Sequence, residues 1–395
     1  MTDLAVALAP GLLADDALVE RILEHVDRGT TDLSDATWRE PVAHYRSEER
    51  LRREVDVLRG EPVLFCPSAA LASPGSYLAR GAAGVPIVVV RGHDGVVRAF
   101  RNACRHRGTA IASGEGCSPS LVCPYHGWVY RLDGALRHVP DEYGFPGLDQ
   151  DSRGLVSVAT VEHGGMVFVR QDGAPLGPEM LGGPVPELLG AHQELVSSAE
   201  SVVAANWKVL VEGFLEGYHI KATHPDTFFP FGYDNLTVVE TFGRHSRVTF
   251  PFRRIEALRA IPRRERDVDG TVTSVYHLFP NVIVARLSHH TTVVVLEPRS
   301  TDTTNFVTYQ LTNRPPVASG RADVSRDADF VAVGAAEDLD IAQAVQRGLA
   351  SGANDTLEFG RFEGAITHFH RQLTELVTSP GAPLPIAPDR SSGEY

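Results

Sequence analysis

Apolar positions in the first sixty residues recur at helical spacing. Leu18, Val19, Ile22, Leu23 and Val26 share one face, and Leu51, Val55 and Leu58 share another within the charged stretch 46–60. Residues 1–60 are thus predicted to be an N-terminal helical arm, or a cap on the next domain. From about 61 to 175 the pattern shortens to strands and turns. Residues 86–90 and 96–100 flank His93-Asp94-Gly95, 128–130 and Leu136 flank Asp133-Gly134, and 156–161 and 166–169 flank His163-Gly164-Gly165. Each reads as a hairpin, and together they predict a small all-β domain. Residues 173–190, with five glycines and four prolines, read as a linker. In 190–378, residues 202–205 read as a strand, and Asn206 can cap a helix running to about His219. Alternating stretches at 236–250, 271–278, 281–287, 291–297 and 304–312 predict a long antiparallel sheet. Helices come next at about 337–350, where Leu339, Ala342, Val345 and Leu349 are apolar and Gly352 lies beyond, and at 362–377. The fold class is α+β, and the Pro-, Ser- and Gly-rich tail 379–395 is expected to be flexible.

Composition narrows the class. The 395 residues suggest two or three domains, and 43% hydrophobic with 22% charged residues excludes a disordered or fibrous chain. Fifty Asp and Glu against 37 Lys and Arg give a net charge of −13, unsuited to nucleic acid or an anionic membrane. No apolar run approaches the roughly 18 residues of a membrane helix. The opening MTDLAVALAPGLLADDALVE lacks a cationic segment and is broken by Pro-Gly, so no signal peptide is expected and the cytoplasm is the expected location. Of the four cysteines, Cys104, Cys117 and Cys123 fall within twenty residues, which favours metal chemistry in a reducing compartment over a disulfide framework.

The strongest signal is Cys104-Arg105-His106 with Cys123-Pro124-Tyr125-His126. Two Cys-His pairs, sixteen residues apart, sit where strands enter tight loops. Two thiolates and two imidazoles suit zinc, or a [2Fe–2S] cluster with both Cys on one iron and both His on the other. C-x-H is tight for a common zinc finger. Gly108 and Gly127 allow backbone N–H groups near bridging sulfides, and Trp128 can cover the cluster. Through Arg107-Gly108 and Pro124-Tyr125-His126-Gly127-Trp128 the segment resembles the Rieske iron–sulfur proteins. Cys117 reads as a loop thiol and Cys66 as a small core residue. Rieske proteins of respiratory complexes usually carry an extra disulfide near the cluster, and the lone Cys117 argues against that branch.

A second constellation comes after Asn206-Trp207-Lys208. Glu212, Glu216 and His219 lie at i, i+4 and i+7 of the predicted helix, on one face, and His224 precedes Pro225, which biases it out of helical geometry. His219 would then close the helix and His224 approach from the loop. Taken alone, two histidines five apart are more often incidental than ligands. With one carboxylate they would make a 2-His-1-carboxylate site suited to non-haem Fe(II). An HExxH zinc site is excluded by the spacing. Gly213 and Gly217 each cost a helix about 1 kcal/mol against Ala, so a packing reason such as close backbone approach is expected.

The stretch N-W-K-x3-E-x3-E-x-Y-H-x4-H is similar to the iron-binding segment of Rieske non-haem iron oxygenase large (alpha) subunits. The resemblance spans about residues 61–375, with two motifs in the family's order. It implies an all-β Rieske domain at 61–175 and a catalytic domain at 190–378, whose sheet is covered by helices in a helix-grip, START-like arrangement. It implies Cys104, His106, Cys123 and His126 as cluster ligands and His219 and His224 as iron ligands. It implies Glu216 as the carboxylate bridging a Rieske histidine of a neighbouring subunit to an iron histidine. Glu212 has no such match and reads as structural. For the third ligand, Glu337-Asp338-Leu339-Asp340 is similar to the family's late-helix region. Asp338 is chosen, with Asp340 and Glu337 as alternatives; all three could instead be ordinary acids at a helix N-terminus.

The implied cofactors are a Rieske [2Fe–2S] cluster and mononuclear Fe(II), and the implied activity is O2-dependent hydroxylation, dihydroxylation or oxidative demethylation of a small organic molecule. No G-x-G-x-x-G follows a strand, so a separate NAD(P)H-dependent reductase, with or without a ferredoxin, is expected to supply electrons. A homotrimer is expected. Glu216 and the late-helix pattern lean toward the branch acting on quaternary ammonium compounds, for which an aromatic cage would suit, with aromatic substrates as the other option. Phe228, Phe229, Phe231, Tyr233, Tyr276, His277, Phe279, His289 and His290 are pocket candidates that read equally as core or surface residues. The competing class is a non-enzymatic Rieske electron carrier, which needs no Glu216, His219 or His224.

Overall fold

The structure, a computed structural model, describes residues 11–190, 193–313 and 320–379. The amphipathic start folds as α1 (Asp15–Arg28), α2 (Ala43–Arg46) and α3 (Glu48–Gly60), with a strand, Trp38–Pro41, between α1 and α2. That strand pairs antiparallel with Thr356–Phe359, far along the chain. Leu18, Val19, Ile22 and Leu23 of α1 bury against Leu236, Val238, Ile255 and Val272. The segment expected as an arm is therefore part of the later domain's packing.

Two seven-stranded antiparallel sheets form the body. In the first the order is Val63–Pro67, Met166–Arg170, Ser157–His163, Val97–Arg101, Val85–Arg91, Ser76–Ala82 and Gly114–Cys117. The three predicted hairpins are present, the second within a small three-stranded sheet of Leu121–Val122, Val129–Tyr130 and Leu136–His138. The second large sheet runs Leu195–Val203, Thr304–Thr312, His290–Pro298, Val282–Arg286, Val272–Leu278, His245–Pro251 and Val238–Phe242. Its alternating residues are buried on both faces. Val282, Val284, Val293 and Val295 face the first sheet, whereas Ile283, Val294 and Leu296 pack with the helices. Those helices include α4 (Trp207–Gly213), α6 (Gly320–Ala350) and α7 (Gly364–Thr378). Between the sheets, buried Arg80 donates to Glu297 at 2.9 Å, and Glu297 also accepts from Ala83 N at 2.7 Å. Removing either partner of such a buried pair costs about 3–5 kcal/mol.

Three expectations change. The stretch 173–190 is a packed strap, because Leu181, Val185, Leu188 and Leu189 join the core between the sheets. The hairpin turn at Gly165 (φ +76°) presses on it so closely that a Cβ would lie 2.0 Å from Leu189 O. The first late helix begins at Gly320 rather than near 337. The helix capped by Asn206 ends at Gly213, well before His219. The tail 380–395 lies outside the described residues.

Candidate metal centres

Two loops carry the first site. In one, Gly108 N donates to Cys104 O at 2.9 Å, and in the other Gly127 N donates to Cys123 O at 3.0 Å. Both glycines take positive φ (79° and 72°), where a side chain would strain the turn. The loops bring the His106 and His126 rings to 4.6 Å, and both Cys104 and Cys123 are buried. Trp128 stacks on His106 at 5.0 Å with a 5° interplanar angle, and Phe145 meets His106 edge-on. Tyr130, which the sequence did not single out, places its hydroxyl 3.3 Å from Cys104 Sγ and accepts from Arg105 N at 2.9 Å. Cys117 is exposed and outside this set, and Cys66 lies in the core.

These residues fit a His-ligated cluster. The Nδ1 atom of His106 is buried with no hydrogen-bond partner, which is costly unless something else binds it. Burial, then the charges of His126 and Arg107, lowers the His106 pKa and favours the neutral ligating form.

The second site lies where α4 gives way to a loop. Phe214 N and Leu215 N bond back three residues, to Val211 O and Glu212 O, and the chain then turns. Gly217 has the packing reason expected of it, since a Cβ there would meet Thr237 Cγ2 at 2.9 Å; Gly213 has open space. Glu212 and Glu216 therefore do not share a helix face. The carboxylate of Glu216 accepts from the backbone N–H of Tyr218 and His219 and bonds His219 Nδ1. His219 begins the short helix α5 (Ile220–Thr223) instead of closing α4, and His224, ahead of Pro225, ends α5 at φ −117° and ψ 46°.

Across this turn stands α6. Asp338 Oδ1 lies 2.9 Å from His224 Nε2 and 3.5 Å from His219 Nε2. One ligand atom from each of the three residues falls within 4.8 Å of the others. Asp338 is in the interior of α6, so it is no helix-terminus acid, and Asp340 is exposed. Glu337 takes a place the sequence did not assign: it bonds His224 Nδ1 at 2.7 Å and accepts from Thr227 Oγ1 at 2.7 Å. Both imidazoles thus hold a carboxylate at Nδ1 and present Nε2 to Asp338, the arrangement of metal-ligating histidines with supporting acids. Burial opposes charge on His219, yet Asp338 and Glu216 raise its pKa to about 10. Asp338 is lowered despite burial because both rings bond it.

Of the aromatic candidates, Phe228 stands at the site, its ring 4.6 Å from His224. His277 and Phe279 pack on Phe369 in the core, and Phe229 and Tyr233 flank Arg253. Tyr276 is buried beside Arg247, His290 is buried, and His289 and Phe231 are exposed.

Sequence comparison adds the family. Residues 61–149 match the Rieske [2Fe-2S] domain, and residues 191–379 match the catalytic domain of the ring hydroxylating alpha subunit. The chain belongs to the Rieske non-haem iron oxygenases, as a large (alpha) subunit. Its cofactors are therefore a Rieske [2Fe–2S] cluster and a mononuclear iron, and the enzyme is an oxidoreductase of the mono- or dioxygenase type. This oxygenase is 29% identical over 367 residues to the carnitine monooxygenase oxygenase subunit of Escherichia coli (strain K12), covering 86% of this chain and 94% of that protein. It is 33% identical over 190 residues to the naphthalene 1,2-dioxygenase large oxygenase component of Pseudomonas aeruginosa, covering 45% and 42%. Its fold matches a quaternary ammonium Rieske monooxygenase in complex with L-carnitine, with a TM-score of 0.72 and 23% identity over 87% of this chain and 96% of that one. Among the described residues, no helix is long and apolar enough to cross a membrane.

Proposed function

We propose that this oxygenase hydroxylates a small quaternary ammonium compound of the carnitine or betaine type. Cys104, His106, Cys123 and His126 would hold the cluster, and His219, His224 and Asp338 the iron. The observation that carries the iron assignment is the pair of imidazoles facing one carboxylate through Nε2 while other acids hold Nδ1. A non-enzymatic Rieske carrier has no use for that set. When bound, the cluster delivers single electrons and the iron activates O2, and hydroxylation balances as R–H + O2 + 2e⁻ + 2H⁺ → R–OH + H2O. The chain's own part is positional. Glu337 and Glu216 fix the ring tautomers, and Trp128 and Phe145 wall off one side of His106. Phe228 offers an aromatic face beside the iron ligands, suited to a cation.

The substrate class is supported by the carnitine relative, which matches nearly end to end, whereas the naphthalene relative matches over less than half. Electrons would come from a separate NAD(P)H-dependent reductase, directly or through a ferredoxin. The protein would work in the cytoplasm as a homotrimer, with Glu216 linking its own His219 to a Rieske histidine of the next subunit. The exposed His126 suits such a contact. An oxygen-uptake screen with a surrogate reductase tests the substrate. Uptake matched by product is expected with carnitine, glycine betaine or choline. Coupled uptake with naphthalene or aromatic acids alone would overturn the quaternary ammonium reading.

A further inference from the structure

The chain that follows the iron histidines carries cations the metal site does not use. Phe229 N donates to His224 O at 3.1 Å, and Arg253 N donates to Phe231 O at 2.8 Å, so residues 229–231 join the site to Arg253 and Arg254, both exposed. The Phe229 ring has Lys221 Nζ at 5.7 Å and the Arg253 guanidinium at 6.0 Å, and Arg253 also lies 5.3 Å from the Tyr233 ring. Phe231 is 54% exposed. Lys221 pairs with Asp234 at 2.7 Å, and Arg254 donates to Ser288 Oγ at 2.9 Å. Among the described residues, no carboxylate pairs with Arg253 or Arg254, whereas nearby Arg259 is held by Asp27 at 2.7 Å. Arginines set among aromatic rings have the make-up of a protein-binding patch, and here they stand on a chain of net charge −13.

The complement stands beside the other metal site. Phe145 meets His106 and Trp128 edge-on at 5.7 and 5.8 Å, and a Cβ on Gly127 would lie 3.3 Å from Pro140, so the loop 140–151 packs on the cluster loops. It exposes Asp141, Glu142, Asp149 and Asp151, and the stretch 141–152 holds no Lys or Arg. Among the described residues, none of these four acids is ion-paired; Glu142 accepts from Gln150 Nε2 and Asp149 from Asp151 N. Tyr143, in their midst, is 87% exposed.

We propose that the acidic loop 141–151 of one copy docks on the Arg253–Arg254 patch of the next, with Tyr143 against the exposed Phe231 ring. The occupant is a second copy of this chain for two reasons. The unpaired charges are opposite in sign, and each surface adjoins one of the two metal sites that the proposed contact through Glu216 brings together. Two unlike patches make a head-to-tail contact, which closes into a ring on repetition. Opposite charges at the rim steer the copies together and weaken in salt. The inference rests on the proposed subunit contact for the pairing of the two surfaces.

The sequence supplies its own probe. It holds two lysines, Lys208, which is buried, and Lys221, which is exposed on the patch. A zero-length carbodiimide, which joins a carboxylate to an amine, should therefore give the holoenzyme a two-chain band in which Lys221 is linked to the tryptic peptide 138–153. The link from Lys221 to Asp234 serves as the standard for reaction within one chain. In sedimentation, R253E/R254E and D149R/D151R should each weaken association by at least about tenfold, with circular dichroism unchanged, and the fourfold variant R253E/R254E/D149R/D151R should restore it. Two-chain bands joined elsewhere, or R253E/R254E assembling like the wild type, would overturn the docking. So would an R253E/R254E variant that keeps its assembly and loses only its response to the reductase, which would give the patch to the electron donor. Failure of the proposed electron path would show separately, as mixed oligomers of Cys104→Ala and His219→Ala that stay inactive while the Lys221 link forms.

Discussion

His224 meets a carboxylate at each ring nitrogen, Glu337 at Nδ1 and Asp338 at Nε2. Neighbouring acids on one helix thus divide the labour of ligand and support. Glu337→Gln keeps an acceptor for Nδ1–H but removes the charge that strengthens the imidazole. Iron affinity is expected to fall about 10–100-fold, measured as iron retained against a chelator, with the cluster spectrum unchanged. This division was only half legible in the sequence. The spacing of Glu337, Asp338 and Asp340 shows three acids in four residues, and only the rotation of α6 decides which one faces the histidines. At about 100° per residue, Asp340 points nearly opposite Asp338, and it is exposed. The cluster set was more legible, because each loop supplies one Cys and one His around a glycine that must take positive φ.

The strands and hairpins followed their alternation, while the junctions did not. Residues 173–190 carry the composition of a linker, but their few leucines and valines bury against both sheets, and composition does not reveal that. The helix expected to run to about His219 ends at Gly213, and the close approach expected at the glycines holds only for Gly217, which meets Thr237 just ahead of the strand Val238–Phe242. His245 ties the strap to the second sheet: Nε2–H donates to Leu181 O at 2.8 Å while Nδ1 accepts from Phe279 N at 3.0 Å. Both bonds require the neutral ring. Burial, opposed by Leu181 O and reinforced by His368 and Arg244, lowers its pKa to about 4. Because the folded value lies below the ordinary one of about 6.5, the unfolded chain binds more protons between those pH values. The stabilisation is therefore complete above about pH 6.5 and is lost as pH falls toward 4, a change of about 3 kcal/mol. Denaturant unfolding of the metal-free protein at pH 7 and pH 4.5 should show this fall, and His245→Phe should flatten the slope while lowering stability at pH 7.

At the scale of the molecule, the second sheet is buried on both faces, by the first sheet and by the helices that carry the iron residues. The resemblance to Rieske oxygenases made this architecture legible; the packing of α1 into it was not, since its partners lie more than two hundred residues away. If each cluster serves the iron of the next subunit, Cys104→Ala and His219→Ala should each be inactive alone, and verified mixed oligomers should regain part of the activity. Mixed oligomers that stay inactive with both variants folded would place electron transfer within one chain. Iron held by His219, His224 and Asp338 is what separates an oxygenase from an electron carrier, and metal content together with electron paramagnetic resonance of the reduced protein measures it. About three irons per chain are expected in the wild type, two of them in a His-ligated [2Fe–2S] cluster, and about two in Asp338→Ala with the cluster signal intact. A wild type holding only the cluster's two irons after iron loading, or an Asp338→Ala variant that keeps the third, would contradict it.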